Sequence, residues 1–321
     1  MSAIVLAPGA VNALQVITVV AIAPGVSGWI SQFEARLQGR CGPRILQPYY
    51  DLGKLFRKES LAPEGASWVF LAAPGVAFVA YALVPLLIPV LTSYGLPLGY
   101  QGDILGGGFL LSLGAFVVAV AAADTGAPYA QIGASRAITF AAIGEPVVLF
   151  ITFAVAIVTG TDLPYAEAAA TRASAAQLIR PGHILAGIAL FMVLLAETDR
   201  IPVATHSSTI ELGMLGEARE FEHSGPYLAV LKWGGQVKQV VFFVLLLNLF
   251  VVPWGLATDG NLVSVVIAIV TLVAKCAGLG VVIAVIDCGF GKLRLFKITE
   301  FVSAAFLLSV LAVFTLLIGA G

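Results

Sequence analysis

Residues Leu262–Ile286 read LVSVVIAIVTLVAKCAGLGVVIAVI, twenty-five positions carrying a single charge, Lys275. A helix rises about 1.5 Å per residue, so a run of this length crosses a hydrocarbon core of roughly 30 Å. Further apolar blocks lie at about 11–31, 68–91, 104–123, 137–160, 183–196, 237–257 and 301–319. The expectation is an all-α membrane protein with about eight transmembrane helices, forming a single polytopic domain over residues 1–321. The fifth block is short for a full crossing. It either extends back through Ile179 or runs on towards Asp199 with a polar end inside the membrane.

Composition agrees. Of the chain's 321 residues 60% are hydrophobic and 11% charged, against roughly a quarter charged in soluble domains. That much apolar surface needs the lipid bilayer as solvent. A net charge of −1 gives no reason to expect a nucleic-acid partner. Cys41, Cys276 and Cys288 form no paired motif, and His183, His206 and His223 have no ligand spacing with them, so no metal or haem site is expected. The first block has no basic region before it and no evident cleavage site, and is read as a retained span.

Basic residues orient the spans, because short cytoplasmic loops carry an excess of Lys and Arg. Alternate connections hold Arg36, Arg40, Arg44, Lys54, Arg57 and Lys58; Arg136; Arg200, Arg219, Lys232 and, at the start of the next span, Lys238; and Lys292, Arg294 and Lys297. Fourteen of seventeen basic residues thus fall on one side, with Arg172 and Arg180 opposite and Lys275 inside a span. Both termini are therefore expected outside. The outward connection Thr161 to Ala176 reads as a plain linker, with room for a short helix.

In the first loop, Ile45, Tyr49, Leu52 and Phe56 fall on one helical face, and Arg44, Asp51, Lys54, Arg57 and Lys58 on the other. This predicts an amphipathic helix with Pro48 in its first turn. Two readings stay open: a lipid-surface anchor, or a docking surface for a cytoplasmic partner.

Glu145 lies inside the fourth block, next to Pro146, which leaves the Ala142 carbonyl without its helical donor. A charged acid at that depth costs a few kcal/mol unless it is protonated, paired or hydrated, which makes Glu145 a candidate ion-coupling residue. The alternative is a structural Glu hydrogen-bonded between helices. Lys275 is the same problem with opposite sign, either a counter-ion or a snorkelling side chain. Glu197, Asp199 and Arg200 abut the short fifth block and suggest a hydrated pocket opening into the membrane. Beyond them Ser208–Thr209–Ile210–Glu211 has the pattern of a capping box, and Glu217 and Glu220 lie off the apolar face that follows.

The run Gly39–Arg40–Cys41–Gly42–Pro43–Arg44–Ile45–Leu46–Gln47–Pro48, followed by Asp51 to Glu59, resembles the first loop of the membrane protein family shared by respiratory complex I and membrane-bound [NiFe] hydrogenases. Ala123 to Pro128, Gly133 to Arg136, Ala142 to Pro146, and Glu197 to Val203 continuing to Gly225 are similar to the hydrogenase branch, which includes formate hydrogenlyase subunit 4. The ending Lys292 to Lys297 with Glu300–Phe301 is similar too. The chain departs from that pattern at Ala204, Thr205, His206, Thr209 and Gly216.

The resemblance implies a non-catalytic subunit in a bacterial or archaeal cytoplasmic membrane. It would hold a cytoplasmic arm of hydrogenase-like and iron–sulfur subunits and join it to antiporter-like membrane subunits. A [NiFe] centre and iron–sulfur clusters would belong to those partners. It also implies ion-coupling roles for Glu145, Glu197, Asp199, Glu211 and Glu217, to which Arg200 and Lys275 are added from their place at or in the spans. The basic loops, with Arg40, Arg44, Asp51, Lys54, Arg57, Lys58 and Arg136, would form the docking surface. Two other functions compete: a quinone-binding subunit of a complex I-like NADH dehydrogenase, and a stand-alone secondary transporter, for which no paired broken spans are evident.

Overall fold

The computed structural model describes residues 6–99, 102–161, 163–173, 178–198, 200, 217–289 and 295–320. Its elements are helices α1 (Pro8–Leu37), α2 (Gln47–Phe56), α3 (Trp68–Leu87), α4 (Ile104–Asp124), α5 (Pro128–Thr159), α6 (Pro164–Ala173), α7 (Pro181–Glu197), α8 (Gly225–Leu245), α9 (Leu262–Gly289) and α10 (Leu295–Ala320). A 3-10 turn, Glu217–Arg219, precedes α8, and a π-helical segment, Leu246–Val251, continues it. No strand occurs among the described residues; Thr92 and Ala257 form an isolated bridge.

Among the described residues seven helices are long and apolar enough to cross a membrane, and α7 is a shorter apolar helix beside them. At about 1.5 Å per residue the 17 residues of α7 reach about 25 Å, just short of the hydrocarbon core. The protein is therefore a multi-pass helical membrane protein whose fifth crossing ends in polar residues.

The ends follow local chemistry. Proline occupies the first turn of α1, α2, α5, α7 and α8, where no intrahelical donor is lost. Ser67 caps α3 by accepting from Val69 N, and Asp103 caps α4 by accepting from Gly106 N. Ser67 N also donates to Asp124 Oδ2 at 2.7 Å, tying the start of α3 to the end of α4.

Two helix starts differ most from the sequence expectation. Helix α5 begins at Pro128 and not near residue 137, so Arg136 sits on the helix, half-buried. Helix α8 begins at Gly225 and not near residue 237, so Lys232 belongs to it along with Lys238. Hydropathy locates the part of a helix in lipid and says nothing of the turns that continue beyond it.

Packing is close. A Cβ on Gly114 would lie 2.4 Å from the Tyr81 ring, so α4 meets α3 through its backbone. A Cβ on Gly28 would lie 2.0 Å from the Ile45 carbonyl oxygen, which seats the first loop directly on α1. Tyr49 Oη donates to Ala21 O at 2.6 Å, Phe56 meets Trp233 edge-on, and Leu52 is buried. Helix α2 thus touches α1 and α8 through this face, on which Leu52 is buried and Ile45, Tyr49 and Phe56 remain partly exposed, while Arg44, Asp51, Lys54, Arg57 and Lys58 are exposed on the other. Thr161 to Ala176 is not a plain linker: it contains α6, which packs on α5 and on the π-segment with Glu167 buried.

Candidate functional site

Helix α7 delivers Glu197 to the end of the bundle where α1, α8 and α9 also present polar side chains. Lys238, two-thirds of the way along α8, donates from Nζ to Glu197 Oε2. Three residues on, Arg200 Nη1 donates to Glu34 Oε1 of α1 at 2.8 Å and to Asp287 Oδ2 of α9 at 3.5 Å. Arg200 and Lys238 are 9% and 8% exposed, so both cations leave bulk water and rely on these acids.

A cavity of about 290 Å³ opens over the cluster, lined by Tyr81, Glu197, Arg200, Arg219, Lys232 and Lys238 among others. Glu197 also lines a second space of about 60 Å³ with Gly144, Arg219 and Lys238. It lines a third of about 20 Å³, with Ser112, Gly144 and Glu145. A space of that last size admits about one water, and it has polar partners in Ser112 and the two acids. Glu145 in turn borders about 190 Å³ between α4 and α5, with Arg219 at its edge. Glu145 is exposed on the outer face of this chain in mid-helix. Glu197 thus borders three spaces, and Glu145 borders the last of these and a fourth.

Of the expected coupling residues, Glu197 lines one space with Arg200 and another with Glu145, and Arg200 pairs with Glu34 and Asp287. Asp199 and Glu211 lie outside the described residues, as does the side chain of Glu217. Lys275 stands apart: Nζ donates to Asn248 Oδ1 at 2.9 Å and to Val252 O at 2.7 Å, so it caps the end of the π-segment.

Sequence reasoning missed Lys238, Glu34 and Asp287 as partners. Glu34 lies 166 residues from Arg200 and Lys238 41 from Glu197, and no local pattern links them. A signal was nevertheless present, since an acid and a base each close to an apolar block are costly unless paired.

His223, just before α8, stacks on Phe70 with ring centroids 4.1 Å apart, and burial pushes its pKa down to about 4. Among the described residues no three His, Cys, Asp or Glu side chains gather as metal ligands.

Comparison with known proteins matches residues 11–318 to the family described as NADH dehydrogenase. Formate hydrogenlyase subunit 4 of Escherichia coli (strain K12) is 32% identical over 287 residues, 88% of this chain and 90% of that protein. Hydrogenase-4 component C of the same organism is 29% identical over 261 residues, 81% of each chain. Among solved structures, the archaeal membrane-bound sulfane sulfur reductase complex contains a chain that superposes with TM-score 0.79. That likeness is at 22% identity and covers 95% of this chain and 98% of that one. It shows a shared fold.

Proposed function

This chain belongs to the NADH dehydrogenase family, and from that premise we propose that it is the membrane-anchoring and ion-coupling subunit of a multisubunit energy-converting hydrogenase of the formate hydrogenlyase kind. The carrying observation is Glu197, ion-paired to Lys238 and bordering both the large cavity and a small space that Glu145 also lines. An acid held by one cation beside a hydrated space can exchange its partner for a proton. Charge arriving in a redox arm above the cavity would bias that exchange, and each charge moved against the membrane potential is worth about 2.3 kcal/mol per 100 mV.

In this reading the exposed basic face of α2 and its flanking loop dock the cytoplasmic arm, through Arg40, Arg44, Lys54, Arg57 and Lys58, with Asp51 among them. Arg136 extends that surface onto α5. The arm carries the [NiFe] centre and iron–sulfur clusters. Antiporter-like subunits cover the α4–α5 face on which Glu145 is exposed. Asp199, Glu211 and Glu217 join Glu145, Glu197 and Arg200 along the coupling route. The protein lies in a bacterial or archaeal cytoplasmic membrane with both termini outside, as one polytopic domain.

A second reading, quinone binding in a complex I-like NADH dehydrogenase, draws on the 290 Å³ cavity, which also has Phe78 and Tyr81 in its wall. Purification of the complex from native membranes separates the two. Nickel in the complex and hydrogen evolution without quinone support the hydrogenase reading; flavin without nickel and inhibition by quinone-site ligands overturn it. Within the complex, Glu145→Gln and Glu197→Gln should each impair ion translocation while leaving assembly and redox turnover intact. Wild-type translocation in both variants refutes the coupling role.

A further inference from the structure

We propose that the groove between α4 and α5 seats a transmembrane helix of a neighbouring subunit, and that this helix brings a lysine or arginine side chain to Glu145. The proposal rests on the multisubunit reading above and adds to it the chemistry of the partner at this face.

The exposed side chains of the spanning helices set this face apart. From Leu262 to Val285 every exposed position of α9 is Leu, Val, Ile, Ala or Gly. From Ala304 onward those of α10 are Ala, Leu, Phe or Ile, and α4 exposes only Phe, Leu and Ala. Hydrocarbon is a good solvent for all of these. The inner half of α5 differs, because Gln131, Ser135, Thr139 and Glu145 are exposed on it. At about 100° per residue these four lie within about 120° of one another, on one side of the helix.

Glu145 decides the matter by its depth. It lies seventeen residues beyond Pro128, about 26 Å along a helix of 32 residues, and so in mid-span. A carboxylate facing hydrocarbon there is costly, and a cation brought to it removes much of the cost. Its own chain supplies none, since no ion pair among the described residues includes Glu145.

The groove suits such a visitor. It encloses about 190 Å³, and Ala115 and Ala119 of α4 face Ala137, Ala141 and Ala142 of α5 across it, with Glu145 in the wall. Small side chains let a second helix approach closely in a membrane. The apolar stem of a lysine or arginine can lie along these alanines with its charged end at Glu145.

A second copy of this chain does not fit the same requirement. Among the described residues the Lys and Arg side chains exposed on spanning helices are Arg36, in the last turn of α1, and Lys232, about 10 Å into α8. Both sit near the membrane face at which α5 begins. A two-fold dimer about the membrane normal keeps depths equal, which leaves Lys232 some 15 Å short of Glu145.

The test uses the full chain in its complex in native membranes. A photo-crosslinker, p-benzoylphenylalanine, replaces Ala142, which is exposed on the same face one turn before Glu145, and in a control replaces Val270 on α9. Mass spectrometry of the linked peptides should identify, at Ala142 alone, an apolar helix of another subunit with a Lys or Arg within about one turn of the link. A link to lipid, to a second copy of this chain, or to a helix without a cation overturns the proposal. Should the probe at Ala142 prevent folding, Thr139 carries it with the same expected outcomes. Glu145→Lys should lower the yield of the link at least about tenfold, and reversing the partner's cation to Glu should restore it. Glu145→Gln, whose amide oxygen still accepts, should keep it. A yield unchanged by E145K, or not restored by the reversal, also overturns the pairing. If a nickel-containing complex purifies without this link, the proposal fails and the hydrogenase reading stands; if the chain purifies from native membranes without partner subunits, both fail.

Discussion

Replacing Lys238 by Met should destabilise the protein at least as much as replacing Lys238 and Glu197 together. The pair is partly shielded, with side-chain exposures of 11% for Lys238 and 26% for Glu197. At an effective dielectric of 20, opposite charges in contact at about 3 Å attract by roughly 5 kcal/mol, and desolvation of both groups removes a large share of that. Deleting one partner of a fully buried pair costs roughly 3–5 kcal/mol; the exposure of Glu197 puts Lys238→Met at the lower end, about 3 kcal/mol. Glu197→Gln should cost about 1–2 kcal/mol, because the amide oxygen still accepts from Nζ while the buried ammonium loses its counter-charge. In the double variant no charge is stranded, so its loss should fall below the sum of the two by about 2 kcal/mol. Denaturant unfolding in detergent micelles, on all four members of the cycle, measures this term. Losses that add to within about 0.5 kcal/mol would show that the two side chains are not energetically coupled, and the argument for a proton-exchanging pair at Glu197 would go with them.

Three other outcomes follow from single contacts. His223 is held near pKa 4 against 6.5 unfolded, so its neutral form is favoured by folding. Its contribution is present above pH 6.5 and is lost as pH falls from there towards 4, about 3 kcal/mol in all at 1.36 kcal/mol per unit. Melting curves across that window should therefore be steeper in pH for the wild type than for His223→Phe, and equal slopes would exclude His223 as the source. Gly28→Ala would bring a methyl within 2.0 Å of the Ile45 carbonyl oxygen, lifting the first loop from α1 at a cost of roughly 1–3 kcal/mol. Limited tryptic cleavage at Arg57 and Lys58 should then quicken, and an unchanged rate would contradict the packing. Lys275→Met removes the donor to Val252 O and Asn248, leaving a buried carbonyl unmet at roughly 1–3 kcal/mol. Hydrogen exchange should accelerate around Leu246–Val251, and unchanged protection would refute the capping role.

What the residues determine by themselves is whatever depends on neighbours along the chain. Runs of about twenty apolar residues set the spans, and spacing of four and three set the apolar face of α2. Glu145 and Glu197 stood out for the same reason, since an acid next to an apolar run is costly whatever surrounds it. The tertiary structure alone decided what answers each charge. Glu197 took Lys238, a residue read from sequence as lying at the start of the next span, and Arg200 took Glu34 and Asp287 from the far ends of α1 and α9. It also turned an Ala-rich connection into α6 and placed Glu167 against His183. Burial in a bilayer acts on each segment separately and so can be read residue by residue. Charge pairing acts between helices brought together by packing, and the identity of a partner exists only once the helices meet.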